Sequence, residues 1–168
     1  VIGTLWGAIA GYVGGILDSI MMRIVDAGIA IPAIFLLLVL STIIRPSVGV
    51  MILVIGLVSW LVPARLIRAE AISVKVRDYV VAAQAMGGSH TRIVLRHIIP
   101  NTVGTVVVNV TFQVADAILL VAYVSFLGMG LQPPATDWGA MLNDGLTLIY
   151  HNAWWLIFPP GLAIVVVV

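Results

Sequence analysis

Long apolar stretches separated by short polar breaks dominate this chain, and their lengths predict membrane-crossing helices. A helix needs about 20 predominantly apolar residues to cross the hydrocarbon core. Such runs fall at residues 1–20, 27–44, 48–62 and 102–131, and a last one opens at Trp154-Trp155, giving about five spans. In the first run Gly3, Gly7, Gly11 and Gly15 follow one another at four-residue steps and so share one helical face. Small residues at this spacing let helix backbones approach closely in lipid, so the stripe reads as a packing seam; a pore-lining face is the other reading. Residues 18–26, with Arg23 between Asp18 and Asp26, are expected as a short loop or helix end at the membrane surface. Pro32 falls inside the second run, where neighbours can satisfy the freed carbonyl. Arg45-Pro46-Ser47 reads as a tight turn, and Trp60 and Pro63 bound the third run. Gln132-Pro133-Pro134 and Asp137-Trp138-Gly139 mark a polar loop before the aromatic pair, which suits a membrane–water interface.

Composition agrees. Of 168 residues, 62% are apolar and 9% are charged, where soluble domains carry roughly 25% charged residues. With a mean hydropathy of +1.19, most of the surface must face lipid. The expected fold class is all-α, a polytopic transmembrane helix bundle forming one domain over residues 1–168. The chain opens inside one apolar run and closes inside another, so at least one further segment is expected at each end. The absence of cysteine excludes disulfides and thiolate metal sites. His90, His97 and His151 form no ligand spacing with a carboxylate, so no metal site is expected, and His97 is expected to pack or pair locally.

The position of the charges sets the orientation. Residues 63–101 hold Arg65, Arg68, Lys75, Arg77, Arg92 and Arg96, six of the eight basic residues. Loops rich in Lys and Arg stay in the cytoplasm. Counting crossings from there puts Arg23 inside, and Arg45 and the Pro-Pro-Trp loop outside. That makes seven basic residues inside against one outside.

The segment 63–101 carries its own pattern. Residues 63–74 read as a helix continuing out of the third span. Residues 78–86 form a second, short helix, with Asp78 at the favourable end of its dipole and Gly87-Gly88 to stop it. Residues 89–99 form a third, with Ser89 as N-cap and Pro100 at the point of membrane re-entry. Ala82, Ala83 and Ala85 make the middle helix a small-residue surface that a protein groove can approach closely. A helix lying in the bilayer interface has the same composition, and both readings stand on the residues alone.

The spacing of Ala82-Ala83, Gly87 and Ile99-Pro100 resembles the EAA loop of binding-protein-dependent ABC importer permeases. Further strings narrow the resemblance to the dipeptide, oligopeptide and nickel permease family, second-permease branch. They are Met22-Arg23-Ile24-Val25-Asp26, Arg92-Ile93 with Arg96-His97-Ile98-Ile99-Pro100-Asn101, Ser125-Phe126-Leu127-Gly128, and Gln132-Pro133-Pro134 with Trp138-Gly139-Ala140-Met141-Leu142. The chain departs from the pattern at Val81, where the motif has Glu, and at Val121, where the family often has Glu.

The resemblance implies a type I importer permease fold in a bacterial inner membrane, with a cytoplasmic coupling loop at 63–101 and an external loop at 132–152. Tyr79, Val81, Ala82, Ala83, Met86 and Gly87 would dock into a cleft of a separate ATP-binding subunit. A side chain at Gly87 would wedge the joint. The implied partners are a homologous second permease, two ATP-binding subunits, an extracytoplasmic substrate-binding protein and the lipid bilayer, with no nucleic acid. The chain itself would be no enzyme and would carry no cofactor.

In the fourth span Asn109, Gln113 and Asp116 share one helical face. Ionisable residues in spans face the bundle interior or water, so this face lines a translocation route or forms an interior hydrogen-bond cluster. Trp138, Met141 and Leu142 are expected on a partly inserted outer helix with Asp137 and Asp144 facing water, either contacting a binding protein or anchoring the interface. The lone lysine, Lys75, sits in no phosphate-binding loop, and no His-Glu-x-x-His occurs. An ion-coupled secondary transporter and an intramembrane enzyme are the competing classes, the second weakened by the lack of that zinc motif. Without a soft or His-rich ligand cluster, peptide is favoured over nickel or another small solute.

Overall fold

The computed structural model describes residues 1–44, 46–131, 134–151 and 154–168, and among them the regular structure is entirely helical. Helices α1 (Ile2–Val13), α2 (Gly15–Ile29), α3 (Ala33–Ile43), α4 (Val48–Ser59), α5 (Leu61–Lys75) and α6 (Asp78–Ala85) come first. After α7 (His90–Ile93) a π-helical segment, Val94–Ile98, leads into α8 (Ile99–Phe126), and α9 (Trp138–Thr147) and α10 (Phe158–Val167) follow. Among the described residues, two helical runs are long and apolar enough to cross a bilayer, Val48–Lys75 and His90–Phe126, with a third if α2 and α3 count as one broken span. Ile2–Val13 and Trp154–Val167 are apolar but shorter. Arg45, Gln132, Pro133 and Asn152, used above for a turn and for the outer loop, lie outside the described residues.

The chain divides into two compact units, Val1–Ile31 with Val58–Thr111, and Pro32–Leu57 with Phe112–Val168. In the first, the glycine stripe is a packing seam. A Cβ on Gly3, Gly7 or Gly11 would strike the carbonyl oxygen of Trp60, Ala64 or Arg68 respectively, so α1 lies backbone to backbone on α5 in matched four-residue steps. Gly15 is not part of the seam. It and Gly14 have φ of +64° and +73°, a left-handed pair that only glycine adopts readily. The expected first helix through residue 20 therefore stops at Val13 and the chain turns back, with the Trp6 indole Nε1 donating to the Met21 carbonyl at 3.2 Å.

Residues 18–26 are helical, not a loop. Their two carboxylates face α5, where Arg68 grips Asp18 through Nε and Nη2, both at 2.6 Å, and Arg65 pairs with Asp26. Helix is the better local state because it holds both acids in register with α5 while Met22 and Val25 enter a core with Ala10, Leu61 and Ala64. Pro32 does not sit within a helix: α2 ends at Ile29 and Pro32 is the extended N-cap of α3 (φ −60°, ψ 130°). A proline disfavours helical geometry in the residue before it.

The third cytoplasmic helix does not end at Ile99. It continues through Pro100 into α8, after a π-helical segment. Proline removes one N–H and crowds the preceding turn, and widening to a π turn accommodates such a defect. Asn101 Nδ2 returns a donor to the His97 carbonyl at 2.7 Å.

In the second unit Leu37, Val54 and Val124 form a core, with Leu36, Leu40, Val50 and Leu120 packed around it. Helix α8 closes at Gly128 (φ +77°), whose N–H donates to the Ser125 carbonyl at 2.9 Å while Met129 N–H donates to Val124 at 3.1 Å. Helix α9 crosses the end of α8 where Gly139 rests on the Ala122 backbone, and α10 follows a short 3-10 turn at Trp154–Leu156.

Candidate functional site

The elbow formed by α5, α6 and α7 brings most of the singled-out residues together. Helix α6 keeps one residue fully buried, Val80 at 0% exposure, which enters a core of Ala8, Tyr12, Ile67, Ala71, Val74, Ile93, Val94 and Ile98. The rest of its short surface is open. Tyr79, Val81, Ala82 and Gly87 are exposed, Ala83 is half-buried, and Met86 reaches 82% exposure. Val76, just ahead of the helix, is likewise exposed. An eight-residue helix anchored by one side chain thus offers an apolar, small-residue face.

Both ends of α6 are defined by the backbone. The Gly87 N–H donates to the Gln84 carbonyl at 2.9 Å and Gly88 N–H to Ala83 at 3.0 Å, the double hydrogen bond that closes a helix through a left-handed glycine. Gly87 has φ +80°, but a Cβ there would have no atom within 4 Å. The expected wedge is therefore absent at Gly87, whose need for glycine is conformational; the tight position is Gly88, where a Cβ would lie 2.7 Å from the Ala83 oxygen. Ser89 caps α7 as expected, accepting from Arg92 N–H at 3.4 Å.

A feature not foreseen in the sequence holds this elbow. Tyr12, 4% exposed at the end of α1, places its hydroxyl 3.1 Å from His90 Nδ1 and accepts a longer bond, 3.5 Å, from Gln84 Nε2. The Lys75 ammonium lies 5.6 Å above its ring, within cation–π range. The ends of α1, α5, α6 and α7 therefore meet on one phenol. His97 packs locally beside Tyr79, with ring centroids 6.2 Å apart. The only advance signal was an aromatic with a polar tip at the end of a glycine-striped helix; its partners lie 72 and 78 positions away.

On α8, Asn109 and Gln113 are half-buried and Asp116 is exposed. The Asn109 Oδ1 is buried and has no hydrogen-bond partner among the described residues. In the outer segment Asp144 is exposed and Trp138 partly so. Asp137 departs from the expectation that it faces water. Its Oδ1 caps α9 by accepting from Ala140 N–H at 3.0 Å, and its Oδ2 accepts from the buried Ser125 hydroxyl at 2.6 Å. The helix N-terminus and the buried hydroxyl together outbid solvent for that carboxylate. Among the described residues no group of His, Asp and Glu is arranged to hold a metal ion.

Comparison with known proteins identifies the family. A family described as binding-protein-dependent transport system inner membrane component matches residues 3–168. The dipeptide transport system permease protein DppC of Bacillus subtilis is 37% identical over 160 residues, covering 95% of this chain and 50% of that protein. The oligopeptide transport system permease protein OppC of Haemophilus influenzae is 40% identical over 158 residues, covering 94% and 51%. OppC of Bacillus subtilis is 36% identical over 160 residues, covering 95% and 52%. The chain spans about half the length of the curated relatives it matches. With a match over nearly its whole length, this chain belongs to the family of binding-protein-dependent transport system inner membrane components.

Proposed function

We propose that this chain is the core of a permease subunit in an ATP-driven importer of di- and oligopeptides, and that α6 is the element through which a separate ATPase drives it. The observation that carries this reading is α6 itself. It is seated by one fully buried valine, closed by Gly87-Gly88, and exposes Tyr79, Val81 and Ala82, with Ala83 half-buried and Met86 exposed at its C-terminal end, within a strongly basic segment. That segment, residues 63–101, lies on the cytoplasmic side by the charge rule. The names of the relatives support peptides over nickel as the solute.

Closure of two ATP-binding subunits pulls on α6, and α5 carries the motion. Because α1 is seated on the α5 backbone through Gly3, Gly7 and Gly11, the two helices move as one body. The face bearing Asn109, Gln113 and Asp116 lines the path that a homologous second permease completes. Trp138 and Asp144 meet the extracytoplasmic binding protein, and Asp137 holds their helix in place. ATP hydrolysis belongs to the partner subunits.

The test uses the assembled transporter. These 168 residues contain no cysteine, so Met86→Cys places the one thiol within them. It should cross-link to the ATPase subunit in a nucleotide-dependent way. Failure to cross-link, with uptake that survives ATP depletion, would overturn the reading in favour of an ion-coupled carrier. Asp116→Asn should lower peptide uptake while leaving assembly intact; unchanged uptake removes Asp116 from the path.

A further inference from the structure

We propose that Tyr12 is a positioning residue that locks α6 to α1, so that displacement of α6 reaches the α1–α5 pair through its hydroxyl as well as through the chain. The proposal rests on the reading of α6 as the ATPase-driven element, and its test separates the two.

Covalently, α6 is joined to α5 only through Val76 and Arg77, and to α7 through a turn containing the left-handed Gly87. Val80, fully buried, and the Tyr79–His97 ring contact seat it, both at its N-terminal end. Such a helix can pivot about its anchor unless a second point fixes it. Tyr12 supplies that point near the other end. Gln84, in the last turn of α6, donates to Oη, which leaves the hydroxyl proton free for His90 Nδ1 in the tautomer carrying hydrogen on Nε2. His90 is the first residue of α7, so one hydroxyl bridges the helices on both sides of the Gly87-Gly88 turn. The phenol itself cannot shift easily: it is buried in the core that holds Val80, and its ring lies under the Lys75 ammonium. Its backbone follows the glycine seam by a single residue, where α1 and α5 are in backbone contact at Gly11 and Arg68. The hydroxyl therefore sits between the movable helix and a rigid two-helix body.

Tyr12→Phe removes the bridge and keeps the ring. In the reconstituted full transporter, amide exchange over residues 78–88 should rise about fivefold, as expected for losing a hydrogen bond of ordinary net strength. Exchange along the α1–α5 seam should stay unchanged. ATPase stimulation by peptide-loaded binding protein should fall by a similar factor, with basal hydrolysis retained. Gln84→Leu, which removes the only α6 donor to the Tyr12 hydroxyl, should reproduce the effect over 78–88, Tyr12→Phe with Gln84→Leu should be no worse than Tyr12→Phe alone, and His90→Ala, which leaves the Gln84 bond in place, should cause a smaller loss. Additive losses, or unchanged exchange over 78–88 in Tyr12→Phe, would overturn the bridge. The Met86→Cys cross-link, run in parallel on unsubstituted and Tyr12→Phe transporters, reports docking separately. If it forms in both while exchange and coupling are unaltered, docking stands and the role of Tyr12 falls. If it forms in neither, the coupling role falls with the docking.

Discussion

Gly7 is the central glycine of the seam and the position where a single methyl group should do most damage. A Cβ there would stand on the Ala64 carbonyl oxygen, 2.9 Å from the Arg68 nitrogen and 3.1 Å from the Ala64 carbonyl carbon. All three are backbone atoms of α5, which cannot rotate away as a side chain would. Relief requires α1 to retreat by roughly 1 Å, since carbon contacts are comfortable only at about 3.5–4.0 Å. A gap of that size forfeits a quarter to a half of each dispersion contact it opens. The retreat also loosens Gly3 and Gly11, which belong to the same rigid helix. Overpacking of this kind costs about 1–3 kcal/mol, and contact with three backbone atoms of α5 places Gly7→Ala near the top, at ~3 kcal/mol. Gly104→Ala is the control, because nothing lies within 4 Å of its Cβ and alanine is the better helix former by about 1 kcal/mol. Unfolding of the purified assembly in mixed detergent micelles, followed by tryptophan fluorescence, measures both. Trp6 and Trp60 stack edge to face at 5.3 Å beside the seam and report its opening directly. Gly7→Ala within about 0.5 kcal/mol of the unsubstituted protein, well short of the overpacking range, would refute the seam.

Other substitutions test the remaining contacts. Gly88→Ala should loosen α6 more than Gly87→Ala, whose cost is the left-handed backbone alone, about 1–2 kcal/mol; amide exchange over 78–88 ranks them. Asp18→Asn leaves the Arg68 guanidinium without its two-point partner in a site where Asp18 is 8% exposed, and should cost about 1–3 kcal/mol in the same unfolding assay. Asp26→Asn should cost less than about 1 kcal/mol, because its pair with Arg65 is more than half exposed on both sides. Asp137→Ala should lower the unfolding free energy of the outer segment by about 2 kcal/mol, combining a lost helix cap with an orphaned Ser125 hydroxyl. Asp137→Asn should recover most of it, and equal losses in the two variants would show that capping is not its role.

Much of this protein is readable from its residues in order. Apolar runs and scarce charge specify membrane helices, because a buried helix satisfies its own backbone and lipid tolerates only apolar side chains. Gly3, Gly7 and Gly11 specify a close helix contact by their spacing, and Asp78, Gly87-Gly88 and Ser89 mark the ends of α6 and α7. These are local rules, acting over one or two helical turns. What the sequence leaves open are choices between distant partners. Gly15 continues the stripe by spacing, yet beside Gly14 it serves a reversal that becomes favourable only because α2 can return onto α1 and α5. Residues 18–26 become helical because Arg65 and Arg68 wait some 40 to 50 positions away to pair with Asp26 and Asp18. Tyr12 becomes the pin of the elbow, and Asp137 turns from water to Ser125, for the same reason. A polar group in an apolar fold takes whichever partner the packing brings within reach, and only the assembled tertiary structure decides which partner that is.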